Sequence, residues 1–414
     1  MCVLIMCVPL YELHEAPHSL HLRARWQART RRFPLTGAND SPPRGKREAP
    51  LGMPRRPAAA ALLLASALAP AATRALGCDG ADALLFAFFQ GDEQLYYATS
   101  YDGLAWTVLN GNRPVLRTAV PATSIRDPYL HAVPGGGYAM VSTDGQAFGG
   151  NPNVLTWTTK DLITYSPERV VAVMNASFFP PGAKVDDTWA PEFVWDSLGS
   201  RFLVFWAAKG AGIYAPEAAC SNSVADHFAF FGAHTTDFAT FSPPFLLFDP
   251  GCTVDGMGGI DGDLVQDENG LWTLVFKDAR GDGEPVRGVR SVASSTGLLE
   301  GPYLDGDISP LISPTLVEAP EAVYFPLPSD PLTPRWLLYY DCSFFPTPQG
   351  WPRPPYGVST SPSLAAPQWT PVPGACTGGG DTAFPKGATH GSFVCLSNAT
   401  LASLWKAFPP AAAA

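Results

Sequence analysis

The chain has 414 residues, a formal charge of −10, 15% charged and 12% aromatic residues, 43 prolines and 39 glycines. No basic run lies beyond residue 77, which argues against a nucleic-acid partner. That much proline and glycine disfavours an architecture of long helices and points to many short strands joined by turns.

Residues 1–52 cluster arginine, proline and histidine without periodicity, so they are expected to be a non-native or disordered extension. Met53 opens a different pattern: Arg55 and Arg56, then an apolar run from Ala58 to Ala72, then small residues. This order predicts a secretory signal peptide over 53–77. The run is too short for a comfortable membrane span, which makes an anchor the weaker alternative. Past it, Cys78, Cys220, Cys252, Cys342, Cys376 and Cys395 form an even set. In an exported chain such a set implies disulfides, whose pairing sequence alone leaves open. Asn175 and Asn398 begin Asn-x-Ser/Thr triplets suited to glycosylation. The expectation is a secreted domain over 78–408, free of the membrane after signal cleavage.

Along that domain one layout recurs. Ser100 to Trp106, Thr159 to Tyr165, Thr235 to Phe241, Ser294 to Tyr303 and Ser359 to Trp369 each run from a hydroxyl residue through a turn to an aromatic. The aromatics at 106, 165, 241, 303 and 369 lie 59, 76, 62 and 66 residues apart, the chain length a four-stranded propeller blade needs. Asp102 and Asp161 belong to these turns and are assigned to structure. Between the turns, short apolar runs flank turn-forming segments: Tyr129 to Ser142, Glu192 to Trp206, Asp263 to Phe276 and Ala322 to Tyr340 read as hairpins. The fifth unit has only Gly391 to Leu396 before the chain nearly ends; Leu84 to Phe89 and Gln94 to Ser100 supply its missing strands. The predicted fold is therefore an all-β, five-bladed β-propeller whose last blade joins strands from both termini, so that no sheet edge of the ring stays open.

Each unit carries an ionisable residue soon after its aromatic: Asp127, Glu192, Asp261, Glu318 and His390 follow by 21, 27, 20, 15 and 21 residues. If the strands nearest the axis start at these points, the five groups face a common centre. Asp127 lies in Arg126-Asp127-Pro128, where proline suits the first residue of a strand. Asp263, two residues past Asp261, is an alternative for the third unit, and Glu321 is expected to be exposed.

These segments resemble glycoside hydrolase family 43 over roughly residues 84–400. The resemblance rests on Ser100 to Trp106, Arg126-Asp127-Pro128, Trp189-Ala190-Pro191-Glu192, Ile260-Asp261, Val317-Glu318-Ala319-Pro320 and His390-Gly391. It implies a five-bladed propeller that removes arabinose or xylose, in some branches galactose, from plant-type polysaccharides by inversion at three carboxylates. Carried onto this chain it makes Asp127 the general base, Glu318 the general acid and Asp261 the carboxylate that tunes the acid. Trp189 would stack on a sugar face, and Arg126 and Glu192 would bind hydroxyls. His390 is similar to a channel histidine that orders water or a cation in some members, although no cofactor or metal is expected here. One departure is Asp261-Gly262-Asp263, where the family commonly has Asp-Pro. The expected partner is a polysaccharide or oligosaccharide, and the expected state a monomer. A carbohydrate-binding propeller without catalysis is the runner-up. A retaining fructosidase-like propeller ranks last, because residues 78–125 lack Asn-Asp-Pro-Asn.

Overall fold

β1 (Ala83–Phe89) reads Ala-Leu-Leu-Phe-Ala-Phe-Phe and is buried at every position. A strand polar on one face would alternate; this one does not, because each face packs on a different neighbour. Leu84, Phe86 and Phe88 join one hydrophobic cluster, whereas Ala83, Leu85 and Ala87 join another. Each large side chain so buried contributes roughly 1.5–3 kcal/mol, as an upper figure.

The molecule is known from a computed structural model, which describes residues 77–410 except 79, 121–122, 146–150, 214–226, 252–256, 281–286, 331 and 343–355. The expected extension (1–52), the signal peptide up to residue 76, and Cys220 and Cys252 lie outside the described residues.

Five sheets form the ring. The first blade is β4 (Ile125–Ala132), β5 (Tyr138–Asp144), β6 (Val154–Thr159) and β7 (Arg169–Val171). The second is β8 (Asp187–Asp196), β9 (Arg201–Lys209), β10 (Ala229–Thr235) and β11 (Phe245–Phe248). The third has three strands among the described residues, β12 (Gly259–Gln266), β13 (Trp272–Asp278) and β14 (Gly288–Ala293). The fourth is β15 (Glu318–Tyr324), β16 (Trp336–Asp341), β17 (Gly357–Ser361) and β18 (Thr370–Pro371). The fifth is ordered β19-β1-β2-β3, with β2 (Leu95–Ser100), β3 (Thr107–Val108) and β19 (Thr389–Leu396). All pairings are antiparallel, and β1 pairs with β19 as the sequence predicts. The Cys78–Cys395 disulfide and a hydrogen bond from Asn398 N to Asp82 Oδ2 (2.7 Å) add to that closure. A second disulfide joins Cys342 and Cys376.

Five apolar clusters fill the interfaces between successive blades, the last of them returning to the fifth blade. The recurring turns are built alike. Asp102, Asp161 and Asp237 each accept two backbone N–H groups two and three residues ahead, at 2.7–2.9 Å. Asp102 and Asp161 are thus turn residues, as assigned from the sequence.

The innermost strands share one irregularity. β4, β8, β12 and β15 shift register between Arg126 and Tyr129, Trp189 and Glu192, Ile260 and Gly262, and Glu318 and Glu321. In β19 the shift leaves His390 unpaired between Thr389 and Gly391. These are β-bulges, which re-aim side chains at the cost of a ladder bond. They correct the expectation for Asp127. β4 begins two residues earlier, at Ile125, and Asp127-Pro128 forms the bulge. Pro128, Pro191 and Pro320 occupy such unpaired positions, where a missing N–H costs no ladder bond.

Candidate active site

The bulges hold non-glycine residues at positive φ: Asp127 (48°), Ala190 (45°), Asp261 (52°) and Ala319 (53°). Backbone of this kind costs energy and is concentrated where geometry serves a site. In the fifth blade the close approach comes from Gly391, where an added Cβ would lie 2.1 Å from the Ala87 carbonyl oxygen. Glycine lets β19 sit against β1 directly beside His390.

Around these bulges lies a cavity of about 110 Å³, lined by Phe89, Arg126, Asp127, Thr143, Trp189, Ile260, Asp261, Glu318, Thr389 and His390. All five blades contribute to it. Of the sequence-predicted residues, Asp127, Asp261, Glu318, Arg126, Trp189 and His390 meet there. Glu192 does not, and this corrects the expectation that it binds hydroxyls at the mouth. It is 2% exposed, and its neighbours in charge are Glu321, Asp263 and Asp261. Glu321, expected on the surface, is 5% exposed. The reason for both is the bulge: Trp189 and Glu192, like Glu318 and Glu321, lie three apart, with two residues between them facing one on the partner strand. The first of each pair lines the cavity and the second is buried in the channel. Asp261 lines the cavity, whereas Asp263 is buried and accepts the Ala322 N–H at 2.7 Å.

The carboxyls at the cavity are held in different states. Asp127 Oδ1 meets His390 Nδ1 at 3.2 Å, and Oδ2 accepts from Thr143 Oγ1 at 2.7 Å. Thr143 Oγ1 in turn accepts the Ala190 N–H at 2.7 Å, which ties Asp127 to the next blade. Burial opposes charge on Asp127, but His390, Arg126 and Thr143 outweigh it and hold the carboxyl below its ordinary range. Burial likewise resists charge on His390, yet Asp127, Asp261 and Glu318 raise its pKa to about 9. Asp261 goes the other way, to about 6: burial raises it, as do Glu318 and Asp127, while His390 and Lys277 offset part. It accepts the Ala319 N–H at 3.1 Å. Glu318 Oε2 accepts from Lys277 Nζ at 2.5 Å. Arg126 lies 3.6 Å from Glu93 and stacks over the Phe89 ring at 5.4 Å. Trp189 packs on Phe228 at 4.6 Å between ring centroids and lines the cavity.

The cavity thus brings together Asp127 and Asp261, whose ionisations are pushed apart, and Glu318, each from a different blade. Residues 79–398 match the glycosyl hydrolase 43-related family, described as a "probable glycosyl hydrolase domain". This chain belongs to that family. It is thus a glycoside hydrolase by family. A search of curated proteins returns no match. Similar solved structures include a thermostable family-43 glycoside hydrolase, at 15% identity over 67% of this chain and 80% of that one, TM-score 0.45. The native arabinanase of Bacillus subtilis is 13% identical over 68% and 88%, TM-score 0.45. An exo-β-1,3-galactanase of Phanerochaete chrysosporium is 13% identical over 64% and 54%, TM-score 0.39.

Sequence reasoning passed over two polar residues of this hydrolase's site, Thr143 and Lys277. Thr143 follows the apolar run Tyr138 to Val141 after Ser142, and Lys277 directly follows Leu274 to Phe276. A lysine directly after an apolar strand run is the one signal the sequence offers, because a charge buried there requires a partner. Its partner, Glu318, is 41 residues away and on another blade.

Proposed function

We propose that this glycoside hydrolase cleaves arabinose- or xylose-containing plant-type polysaccharides or oligosaccharides with inversion at the anomeric carbon. The observation that carries the reading is the meeting of Asp127, Asp261 and Glu318, from three blades, at one cavity. Asp127, kept ionised by His390 and Thr143, takes a proton from a water on one face of the sugar. Glu318 gives a proton to the departing oxygen on the other face, so the C1–O bond breaks as the new one forms. Asp261, which keeps a proton to about pH 6, moderates the charge around Glu318. Trp189 offers an aromatic face to ring C–H groups. The two disulfides support export of the chain, since such bonds persist in oxidising compartments.

The test is hydrolysis of aryl arabinofuranosides and aryl xylosides, with the first-formed anomer read by proton NMR. Wild type is expected to invert. Asp127→Asn and Glu318→Gln are expected to lose about 10²–10⁴-fold in kcat on unactivated substrates while still binding the sugar. A retained anomer, or full activity in either variant, removes the mechanism. Glycan binding without turnover in the wild type replaces it with a carbohydrate-binding role.

A further inference from the structure

We propose that Lys277 is a positioning residue for Glu318, holding one carboxyl oxygen so that the other delivers the proton to the leaving group. This rests on the reading of Glu318 as the general acid.

Lys277 is the sixth residue of β13, the middle strand of the third blade, and its register partner is Ile260, the residue before Asp261. From there its side chain reaches the innermost strand of the fourth blade, where Nζ lies 2.5 Å from Glu318 Oε2. The two side chains are 9% and 19% exposed. Burial works against the ammonium, but Glu318 and Asp261 outweigh it and keep Lys277 charged. Among the described residues no hydrogen bond engages Glu318 Oε1, and Glu318 lines the cavity. One oxygen is therefore gripped and one is left for substrate.

The grip has a chemical consequence. When Glu318 gives up its proton, negative charge develops on its carboxyl. A fixed ammonium at hydrogen-bond distance stabilises that charge as it forms, without reorganising at the moment of reaction. The contribution matters most when the leaving oxygen needs a full proton, and least when the leaving group departs as a stable anion.

Leaving-group dependence is therefore the readout. With Lys277→Met, kcat/KM on an oligosaccharide or phenyl glycoside is expected to fall about 100-fold, and on a dinitrophenyl glycoside less than about 3-fold. Lys277→Arg, which keeps a cation, is expected to recover part of the loss on the unactivated substrate. Because Lys277→Met leaves a buried carboxylate unpaired and is liable to misfold, the Lys277→Met/Glu318→Gln pair is the second arm. It removes both charges, and its activity should equal that of Glu318→Gln alone. Equal loss of Lys277→Met on both substrates, no loss on either, or a double variant well below Glu318→Gln overturns the inference. If Glu318→Gln shows leaving-group dependence and Lys277→Met does not, only the role of Lys277 falls. If Glu318→Gln shows none, the assignment of the acid falls and takes this inference with it.

Discussion

The channel of this propeller holds two sets of acids one bulge apart, and they are treated in opposite ways. At the mouth, Asp127 and Glu318 each meet a cation directly, His390 in one case and Lys277 in the other. Deeper in, Glu192, Asp263 and Glu321 have chiefly one another for company, together with the Tyr129 ring. No cation pairs with these three among the described residues, and Glu192 Oε2 has no hydrogen-bond partner. Asp127 is held ionised, whereas burial raises Asp263 to about 7 and Glu192 and Glu321 well above the ordinary range. The residue type does not decide the charge; the neighbours do. Burial acts on both sets; at the mouth His390, Arg126 and Thr143 overcome it at Asp127, whereas at Asp261 it still prevails over His390 and Lys277.

The severest way to break this contrast is to open the ring. Deleting residues 84–106 removes β1 and β2, so both sets lose their closed channel. The variant is expected to lack a cooperative melt by circular dichroism; an unchanged melt contradicts closure by the termini.

Next in size is a test on the deep set. Asp263 binds a proton when folded up to about pH 7 but, unfolded, releases it near its ordinary value of 3.8. A raised folded pKa means stability present at low pH and lost as pH rises between those values. Asp263→Asn keeps an acceptor for the Ala322 N–H without that titration. Denaturant melts should show it more stable than wild type at pH 8, on the order of 2–4 kcal/mol, and equal at pH 4. A gain of the same size at both pH values removes the ionisation account.

A smaller effect is expected at the mouth. His390→Gln removes the imidazolium that lowers Asp127, so the acid limb of kcat/KM should move up by about one pH unit, with little change near neutrality. A wild-type limb in the variant means that His390 does not set the state of Asp127. The sign for stability is the reverse of that for Asp263. His390 is raised from 6.5 to about 9, so its pairing stabilises the fold below about pH 6.5 and is lost as pH climbs through 9. Asp127, which is lowered, loses its share as pH falls below its ordinary value of 3.8. Smallest is Thr143→Val, which deletes one hydrogen bond to Asp127 and orphans the Ala190 N–H. A loss of about 1–3 kcal/mol in stability is expected, with a few-fold fall in kcat. An unchanged melt and rate means the link to the second blade is idle.

Much of this architecture was legible in the order of residues. The hydroxyl–turn–aromatic repeat marked the blades because a turn closed by Asp161 or Asp237 uses only groups within a few residues of one another. The orphan strand at 391–396, with Leu84 to Phe89 and Gln94 to Ser100 at the other end of the chain, showed that the two ends meet, since a lone strand requires partners for its edge hydrogen bonds. Asp127, Asp261, Glu318 and His390 were readable because each follows its blade's aromatic by 15–21 residues.

Tertiary structure alone decided which acids reach the cavity and which are buried behind it. Glu192 was set at the mouth by its spacing from Tyr165 and by resemblance, and Glu321 was set on the surface; neither reading registers the bulges that distort the backbone at Ala190 and Ala319 and re-aim the residues after them. The cations that charge the site lie equally beyond sequence: Lys277 meets Glu318 across 41 residues and His390 meets Asp127 across the join of the ring. Local rules fix strands and turns because their hydrogen bonds are local. The state of a buried carboxyl is fixed by charges a few ångströms away in space, and only the closed ring determines which those are.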